Sequence, residues 1–322
     1  MDGPTLQEIK AGAVTAAVPP ISTAAAIAAH PALAGSARPS SRPSGFRSRF
    51  VAYLRDPFFA AACAILLTMA LLALSAGWLF PNDPMDMVAT PLLWPGQDMD
   101  YPLGTDALGR DLLSGVIHGS RASLMVGLSA ASIGLLIGAT IGALAGYFGG
   151  FVDNALMRLA ELFQTVPSIL LVIAILSIGD PSLPLIAFAI GLSSWPMVAR
   201  LVRSQFLTLR ESDFVLAARS LGYGTGRIII SEILPNALPT VIVATSVMVA
   251  NGILAEAGLS FLGLGDNNLV SWGSMVGNGR QVLRSEWFVS AIPGIAIILT
   301  VLSFNIMGDR LNDILNPRAE PA

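Results

Sequence analysis

Residues Arg210–Asn236 read RESDFVLAARSLGYGTGRIIISEILPN and form a polar interruption between two long apolar runs. The flanking runs, Pro181–Ala199 and Ile233–Ala255, contain no charged residue. Ser212 or Asp213 can cap a helix here, because a side-chain oxygen at that position accepts an unpaired backbone N–H of the first turn. The pattern predicts a short amphipathic helix held between two membrane spans.

The predicted short helix has an apolar side and is followed by a glycine-rich break. Its apolar residues are Phe214, Leu216, Ala217, Ala218 and Leu221, and Arg210 and Arg219 stay polar. Glycines at 222, 224 and 226 end the helix, and the run IIISEIL then continues until Pro235 and Pro239. Such an element favours docking of a protein from outside the membrane, and an ordinary connection between two helices is the alternative.

The composition indicates an integral membrane protein. Of 322 residues, 54% are hydrophobic and only 12% are charged, whereas soluble domains carry about 25% charged residues. The single cysteine, Cys63, excludes an intramolecular disulfide, and the two histidines are far apart in the sequence, so neither a catalytic nor a metal-binding set is expected. Lys10, the one lysine, does not lie in a glycine-rich loop, which excludes a Walker A nucleotide site.

Six apolar runs have the length of about 20 residues that a bilayer span requires. They are Phe58–Phe80, Ala122–Phe148, Leu159–Ile178, Leu183–Val202, Ala237–Ala257 and Trp287–Gly308. No histidine lies in these runs, which argues against an intramembrane enzyme, and Pro167, Pro196 and Pro293 predict kinks. The sequence therefore predicts an all-α membrane protein with six transmembrane helices.

The domain organisation follows from these spans. Residues 1–50 are rich in Ala, Pro, Ser and Gly and predict a disordered, basic cytoplasmic tail. Residues 51–120 hold the first span and an extracytoplasmic segment, in which a surface helix capped by Thr105 is expected. Residues 121–310 form a core of five helices with the cytoplasmic loop 204–236, and residues 311–322 form a C-terminal tail.

Glycines recur at every fourth position in the second span, at 134, 138, 142, 146 and 150. Small residues at this spacing let two helix backbones approach closely in lipid. The stripe predicts a tight helix–helix contact, either within this chain or with a second subunit.

Basic residues are distributed unequally between the two sides of the predicted membrane. If the N-terminus is inside, fourteen basic residues are cytoplasmic and four are outside, namely Arg110, Arg121, Arg280 and Arg284. Cytoplasmic loops carry an excess of Lys and Arg. Both termini and the stretch Arg210–Asn236 are therefore expected on the cytoplasmic side.

Several segments resemble one family. The spacing of Leu216-Ala217-Ala218, Gly222 and Leu234-Pro235 resembles the EAA loop of binding-protein-dependent ABC importer permeases. The C-type permeases of the dipeptide/oligopeptide/nickel group are similar in LGTDALGRDLLSGVIHGSRASL (103–124), GYFGGFVDNALMRL (146–159), ILAEAGLSFLGLG (253–265) and PGIAIILTVLSFNIMGDRLNDILNPR (293–318). Two positions depart from the pattern: Leu216 replaces the glutamate of the general motif, and Glu232 stands where the group often has histidine.

The resemblance implies a type I ABC importer permease in a bacterial plasma membrane, without enzymatic activity of its own. It implies a heterodimer with a B-type permease, two ABC ATPases that use ATP and Mg²⁺, an extracytoplasmic solute-binding protein and no nucleic acid. The residues expected to couple to the ATPase are Asp213, Phe214, Leu216, Ala217, Ala218, Arg219, Gly222, Leu234 and Pro235. Dipeptides or oligopeptides are the expected cargo, and nickel, glutathione or an opine are alternatives.

Polar residues inside the predicted spans are candidates for the substrate path, because burying them in a membrane is costly. They are Glu161, Asn251, Glu256 and Asn305, with structural pairing as the alternative role. A self-sufficient secondary transporter, the competing class, is expected to show inverted repeats and paired acidic residues at the midplane. Neither feature is visible in this sequence.

Overall fold

The computed structural model describes residues 55–315, and each regular element in that range is a helix. The helices are α1 Pro57–Leu79, α2 Leu112–Phe148, α3 Gly150–Thr165, α4 Ser168–Leu176, α5 Leu183–Arg210, α6 Asp213–Ser220, α7 Thr225–Phe261, α8 Trp272–Gly279 and α9 Phe288–Leu315. The predicted N-terminal tail, 1–50, lies outside the described residues. So does the predicted C-terminal tail, except that residues 311–315 continue α9.

Five helices of the described chain are long and apolar enough to cross a membrane, namely α1, α2, α5, α7 and α9. The pair α3 and α4 gives a sixth span if it is counted as one element, and it bends by 79°. Pro167 lies at this bend, and Val166 before it is extended, as expected for a residue that precedes proline. The all-α prediction is confirmed, and the described helices give five spans, or six with α3 and α4 counted as one broken span.

The start of α2 differs from the prediction. Asp111 caps α2, and its carboxylate accepts the N–H groups of Leu113 at 2.9 Å and Ser114 at 3.3 Å. The expected surface helix capped by Thr105 is wrong, because the buried Thr105 hydroxyl instead holds a turn by donating to the Thr90 carbonyl. As a result α2 crosses the expected boundary between residues 120 and 121 and includes His118, which was expected to lie outside the spans.

Helix α7 is longer than the expected fifth span and continues past both of its prolines. Six residues, Ile228–Ile233, are π-helical, and the Leu234 N–H then donates to the Ile229 carbonyl five residues back. A proline lacks an N–H, so a regular α-helix would leave a carbonyl without its donor. The wider π turn lies immediately before Pro235, and the Asn236 amide donates to the Glu232 carbonyl at 2.6 Å.

The glycine stripe of α2 packs against α5 of the same chain. A Cβ added at Gly138 would lie 2.6 Å from the Trp195 carbonyl oxygen, and one at Gly146 would lie 2.8 Å from the Arg203 oxygen. A Cβ at Gly150, in contrast, would meet nothing within 4 Å. Gly134, Gly138, Gly142 and Gly146 thus form an intrachain contact, which decides between the two expected roles of the stripe, and Gly150 is not part of it.

The two ends of the bundle can be assigned from the contacts. At one end, Arg310 of α9 pairs with Asp56 at the start of α1 at 2.8 Å, and α6 follows the end of α5 there. At the opposite end, His118 Nε2 donates to the Phe80 carbonyl after α1 at 3.0 Å. The candidate site described next is α6 itself, with the residues that fasten it at this end of the bundle.

Candidate functional site

The first turn of α6 is stabilised by backbone hydrogen bonds. Ser212 occupies the N-cap position, and its carbonyl accepts the N–H groups of Val215 at 3.0 Å and Leu216 at 3.1 Å. Its side chain does not cap the helix as expected, because the hydroxyl donates back to the Leu209 carbonyl. This contact connects the start of α6 to the end of α5.

The end of α6 depends on Gly222. Its φ is +79°, in the left-handed region, and its N–H donates to the Arg219 carbonyl at 2.9 Å. The Tyr223 N–H donates to the Ala218 carbonyl at 3.1 Å, which completes a glycine C-cap. Gly224 has a φ of −68° and Gly226 lies in the first turn of α7, so the break needs one glycine and not the three that were expected.

The inner face of α6 packs on the body of the protein. Val215 and Ala218 lie three positions apart, hence on one side of the helix, and are 0% and 5% exposed. They join a core cluster with Phe206 of α5 and with Ile228 and Ile233 of α7. The residue pattern did not identify Val215, although its spacing from Ala218 was a usable signal.

The outer face of α6 presents apolar side chains to the surroundings. Phe214 is 39% exposed, Leu216 is 46% exposed and Leu221 is 73% exposed. Asp213, Ala217 and Arg219 are exposed as well. We call these six residues the outer face. Of the other residues expected to couple, Ala218 points inward, Leu234 is half-buried and Pro235 is exposed.

Two arginines of α5 fasten the base of this element to neighbouring helices. Arg203 forms a two-pronged ion pair with Asp153 of α3, in which Nη2 lies 2.6 Å from Oδ2 and Nε contacts Oδ1. Arg210 donates to the carbonyls of Gly146 and Tyr147 at 3.3 and 3.2 Å. A cation at the C-terminus of α2 also complements the helix dipole.

The four residues proposed for a substrate path do not form one cluster. Glu256 is 1% exposed, and its carboxylate accepts from Ser260 at 2.7 Å and from Ser123 at 3.2 Å. Glu161 on α3 is exposed and pairs with Arg158 at 2.9 Å. Asn251 is exposed and Asn305 is half-buried, and neither side chain bonds to any residue in the range 55–315.

The Glu256 carboxylate belongs to a buried polar network between α2, α7 and α8. The Ser123 hydroxyl that donates to Glu256 accepts the Trp272 backbone N–H at 3.3 Å. The Trp272 indole donates to the Val116 carbonyl at 2.9 Å. Glu256 therefore helps to hold α8 against the end of the bundle opposite α6.

A family described as "Binding-protein-dependent transport system inner membrane component" matches residues 138–321. The chain belongs to this family. It is 37% identical to the di/tripeptide transport system permease protein DppC of Pseudomonas aeruginosa, over 87% of this chain and 94% of that protein. It is 35% identical to the glutathione transport system permease protein GsiD of Pectobacterium atrosepticum, over 83% of this chain and 89% of that protein.

A solved structure supports the fold independently. The chain is similar to one in the inward-facing MetNI methionine ABC transporter, with a TM-score of 0.54 and 17% identity, over 64% of this chain and 98% of that one. The resemblance found in the sequence to ABC importer permeases of the dipeptide group is confirmed by the family and the relatives. The chain is a transport permease subunit with the type I ABC importer fold.

Proposed function

We propose that this chain is the permease subunit of an ATP-driven importer for dipeptides or oligopeptides and forms half of its translocation pore. The chain matches peptide transport permeases over most of its length, and their names support peptides as the cargo. One relative is a glutathione transport system permease, so glutathione is the second candidate. The exposed apolar face of α6, fixed on a rigid base, carries the proposal for coupling.

In this proposal the outer face of α6 lies in a groove of an ABC ATPase subunit. Phe214 and Leu216 supply apolar contact area, and the small Ala217 between them allows close approach. The inner face of α6 packs on α5 and α7, and Arg210 joins the end of α5 to α2, so in this proposal α6 moves together with the bundle. Closure of two ATPases around ATP and Mg²⁺ would then be transmitted to α5 and α2 as one body.

The complex would contain a B-type permease, two ABC ATPases and an extracytoplasmic solute-binding protein, and this chain would bind no nucleic acid or cofactor. We place α6 and both termini on the cytoplasmic side of the bacterial plasma membrane. The positions of the arginines support this orientation, because those of α5, α6 and the start of α7 lie at one end of the bundle.

Docking is tested with Leu216→Arg and a matched control. Leu283→Arg makes the same change at a side chain of similar exposure, 50% against 46%, in the loop before α9 at the other end. Central apolar contacts of an interface are worth about 2 kcal/mol or more, which is about 30-fold in affinity. We expect Leu216→Arg to lose the copurifying ATPases and ATP-driven uptake, whereas Leu283→Arg retains the ATPases. Copurification at wild-type yield in Leu216→Arg would refute docking through α6.

Cargo is tested with the assembled complex in proteoliposomes. We expect ATP-dependent uptake of labelled dialanine when the ATPases and the solute-binding protein are present. Uptake of glutathione or Ni²⁺ in place of dialanine would change the cargo and keep the importer. Uptake by this chain without any ATPase would instead indicate a secondary transporter.

A further inference from the structure

A cavity of about 240 Å³ lies at the end of the bundle opposite α6. It is enclosed by the turn before α2, the end of α7 and helix α8. The polar residues that line it include Asp106, Arg110, Asp111, Asp266, Ser274 and Asn278. A second cavity of about 450 Å³ adjoins it and shares four lining residues, Pro84, Met85, Leu269 and Val270.

The turn LGTDALGRD that borders this cavity is built by its glycines and by two of its side chains. Gly104 and Gly109 both have a φ of +76°, and an added Cβ at either would meet backbone atoms of the preceding loop. Thr105 is buried and bonds to Thr90 and Leu93, and Asp106 accepts the backbone N–H groups of Leu108 and Arg110. These contacts account for the fold of the turn without the Arg110 side chain.

The carboxylates around the cavity are already held by backbone donors. Asp111 caps α2, and Asp266 accepts the N–H groups of Leu183 at 3.1 Å and Asn268 at 2.9 Å. With Asp106 fixed in the turn, none of the three lies within ion-pair distance of Arg110. Burial raises the pKa of the Asp111 carboxyl, against the lowering effect of the two backbone N–H groups that it accepts.

Among the described residues, Arg110 therefore has no side-chain hydrogen-bond or ion-pair acceptor. Its Nε is buried, and its guanidinium forms no hydrogen bond or ion pair with any of the residues 55–315. Arg110 as a whole is half-buried, so its buried Nε–H lacks an acceptor while the rest of the guanidinium can face the cavity. A buried donor without an acceptor is costly, and a planar guanidinium matches a carboxylate with two parallel hydrogen bonds. The geometry favours a carboxylate that arrives from outside the chain.

The charges that line the cavity limit which kind of carboxylate ligand can bind beside Arg110. Three acidic side chains and one arginine line it, so a plain anion meets a surplus of negative charge. A zwitterion avoids this, because its ammonium group is attracted by the surplus carboxylates while its carboxylate binds the arginine.

We propose that this cavity binds a short peptide as a zwitterion, with Arg110 as the residue that binds its C-terminal carboxylate. The inference rests on the proposed function, because it takes the cargo to be a peptide, and it adds a recognition site within the permease itself.

The test measures binding of dialanine, dialanine amide and N-acetyl-dialanine by saturation-transfer NMR. The sample is the full-length chain in lipid nanodiscs with the subunits that copurify. We expect the amide to bind at least about 10-fold more weakly than dialanine, as one charge-assisted bidentate contact predicts. The acetylated peptide should also bind more weakly, because it lacks the ammonium group.

The variant Arg110→Gln should bind dialanine as weakly as wild type binds the amide, and its affinity for the amide should not change. Arg284→Gln removes an exposed arginine outside the cavity lining and should retain wild-type affinity. If Arg110→Gln does not fold, Arg110→Lys keeps the charge and should still prefer dialanine over its amide.

Equal affinity of the wild type for dialanine and its amide would overturn the proposal, as would an equal loss for both peptides in Arg110→Gln. Loss of solute-binding-protein binding in Arg110→Gln, with peptide binding unchanged, would assign the arginine to a protein carboxylate and overturn it too. Dialanine uptake by the wild-type complex distinguishes failure of this site from failure of the proposed function. If dialanine is taken up but its binding does not depend on the C-terminal carboxylate, only the Arg110 site is rejected. If no peptide is taken up, the proposed function is rejected.

Discussion

Substitutions in the glycine series 222, 224 and 226 test whether the geometry of α6 controls coupling. Only Gly222 has a positive φ, at +79°, and an added Cβ at any of the three glycines meets nothing within 4 Å. A change to alanine therefore acts through backbone conformation alone. An L-residue in the left-handed region costs roughly 1–2 kcal/mol, whereas alanine inside a helix is favoured over glycine by up to about 1 kcal/mol.

The expected order of effects follows directly. Gly222→Ala should increase the opening of the α6 C-cap about 5- to 30-fold, and Gly222→Asn should increase it less, because Asn tolerates this conformation better. Gly224→Ala should be near neutral, and Gly226→Ala should slightly stabilise the first turn of α7. Gly222→Pro fixes φ near −65° and removes the N–H that bonds to Arg219, at a cost of about 3 kcal/mol or more.

Hydrogen exchange followed by mass spectrometry on residues 213–223 measures the opening directly. ATP-driven uptake in proteoliposomes measures the consequence for transport, and membrane extraction confirms insertion. We expect Gly222→Pro to insert normally and to transport at background level. Similar exchange in Gly222→Ala and Gly224→Ala would contradict the C-cap argument, and retained uptake in Gly222→Pro would refute the coupling role of α6.

Three further substitutions test the packing and the polar networks. Gly138→Ala places a methyl group 2.6 Å from the Trp195 carbonyl oxygen and should lower the free energy of unfolding by about 1–3 kcal/mol. Gly77→Ala, where an added Cβ meets nothing within 4 Å, should not lower it. Equal melting temperatures of the two variants would contradict the close contact. Glu256→Ala should destabilise the fold by about 1–3 kcal/mol, because two buried hydroxyls lose their acceptor. Glu256→Gln should retain most of the stability. A loss of peptide uptake in a fully stable Glu256→Gln would instead indicate substrate contact. Asp153→Asn should lower the melting temperature, because it removes the ion pair with Arg203, and an unchanged value would show that this pair does not fasten α3 to α5.

Features of this fold that depend on local sequence could be predicted. The length and apolarity of the spans identify α1, α2, α5, α7 and α9, because a bilayer sets the number of residues that a span needs. The existence and position of α6 follow from a polar interruption with helical periodicity and a glycine at its end. These signals lie within a few residues of one another.

Features that depend on distant parts of the chain could not be predicted in the same way. Thr105 looks like a helix cap, but its hydroxyl bonds to the Thr90 carbonyl 15 residues earlier. The spacing of Val215 from Ala218 places both on one side of α6, but the residues that bury this side, Phe206 and Ile228, lie on other helices, so the local pattern does not show that it points inward. Asp153 and Arg203 are 50 residues apart, so no local pattern relates them.

Helix α5 connects the two ends of the bundle and continues through Pro196 as one element. Its 28 residues span about 42 Å at 1.5 Å per residue. Along the glycine stripe, the backbone of α2 packs directly against it. Arg210 at one end lies beside α6, and Leu183 at the other end donates to Asp266, which borders the cavity of Arg110. A tilt of only about 5° at the α6 end would sweep the far end through about 4 Å, roughly the width of a peptide backbone.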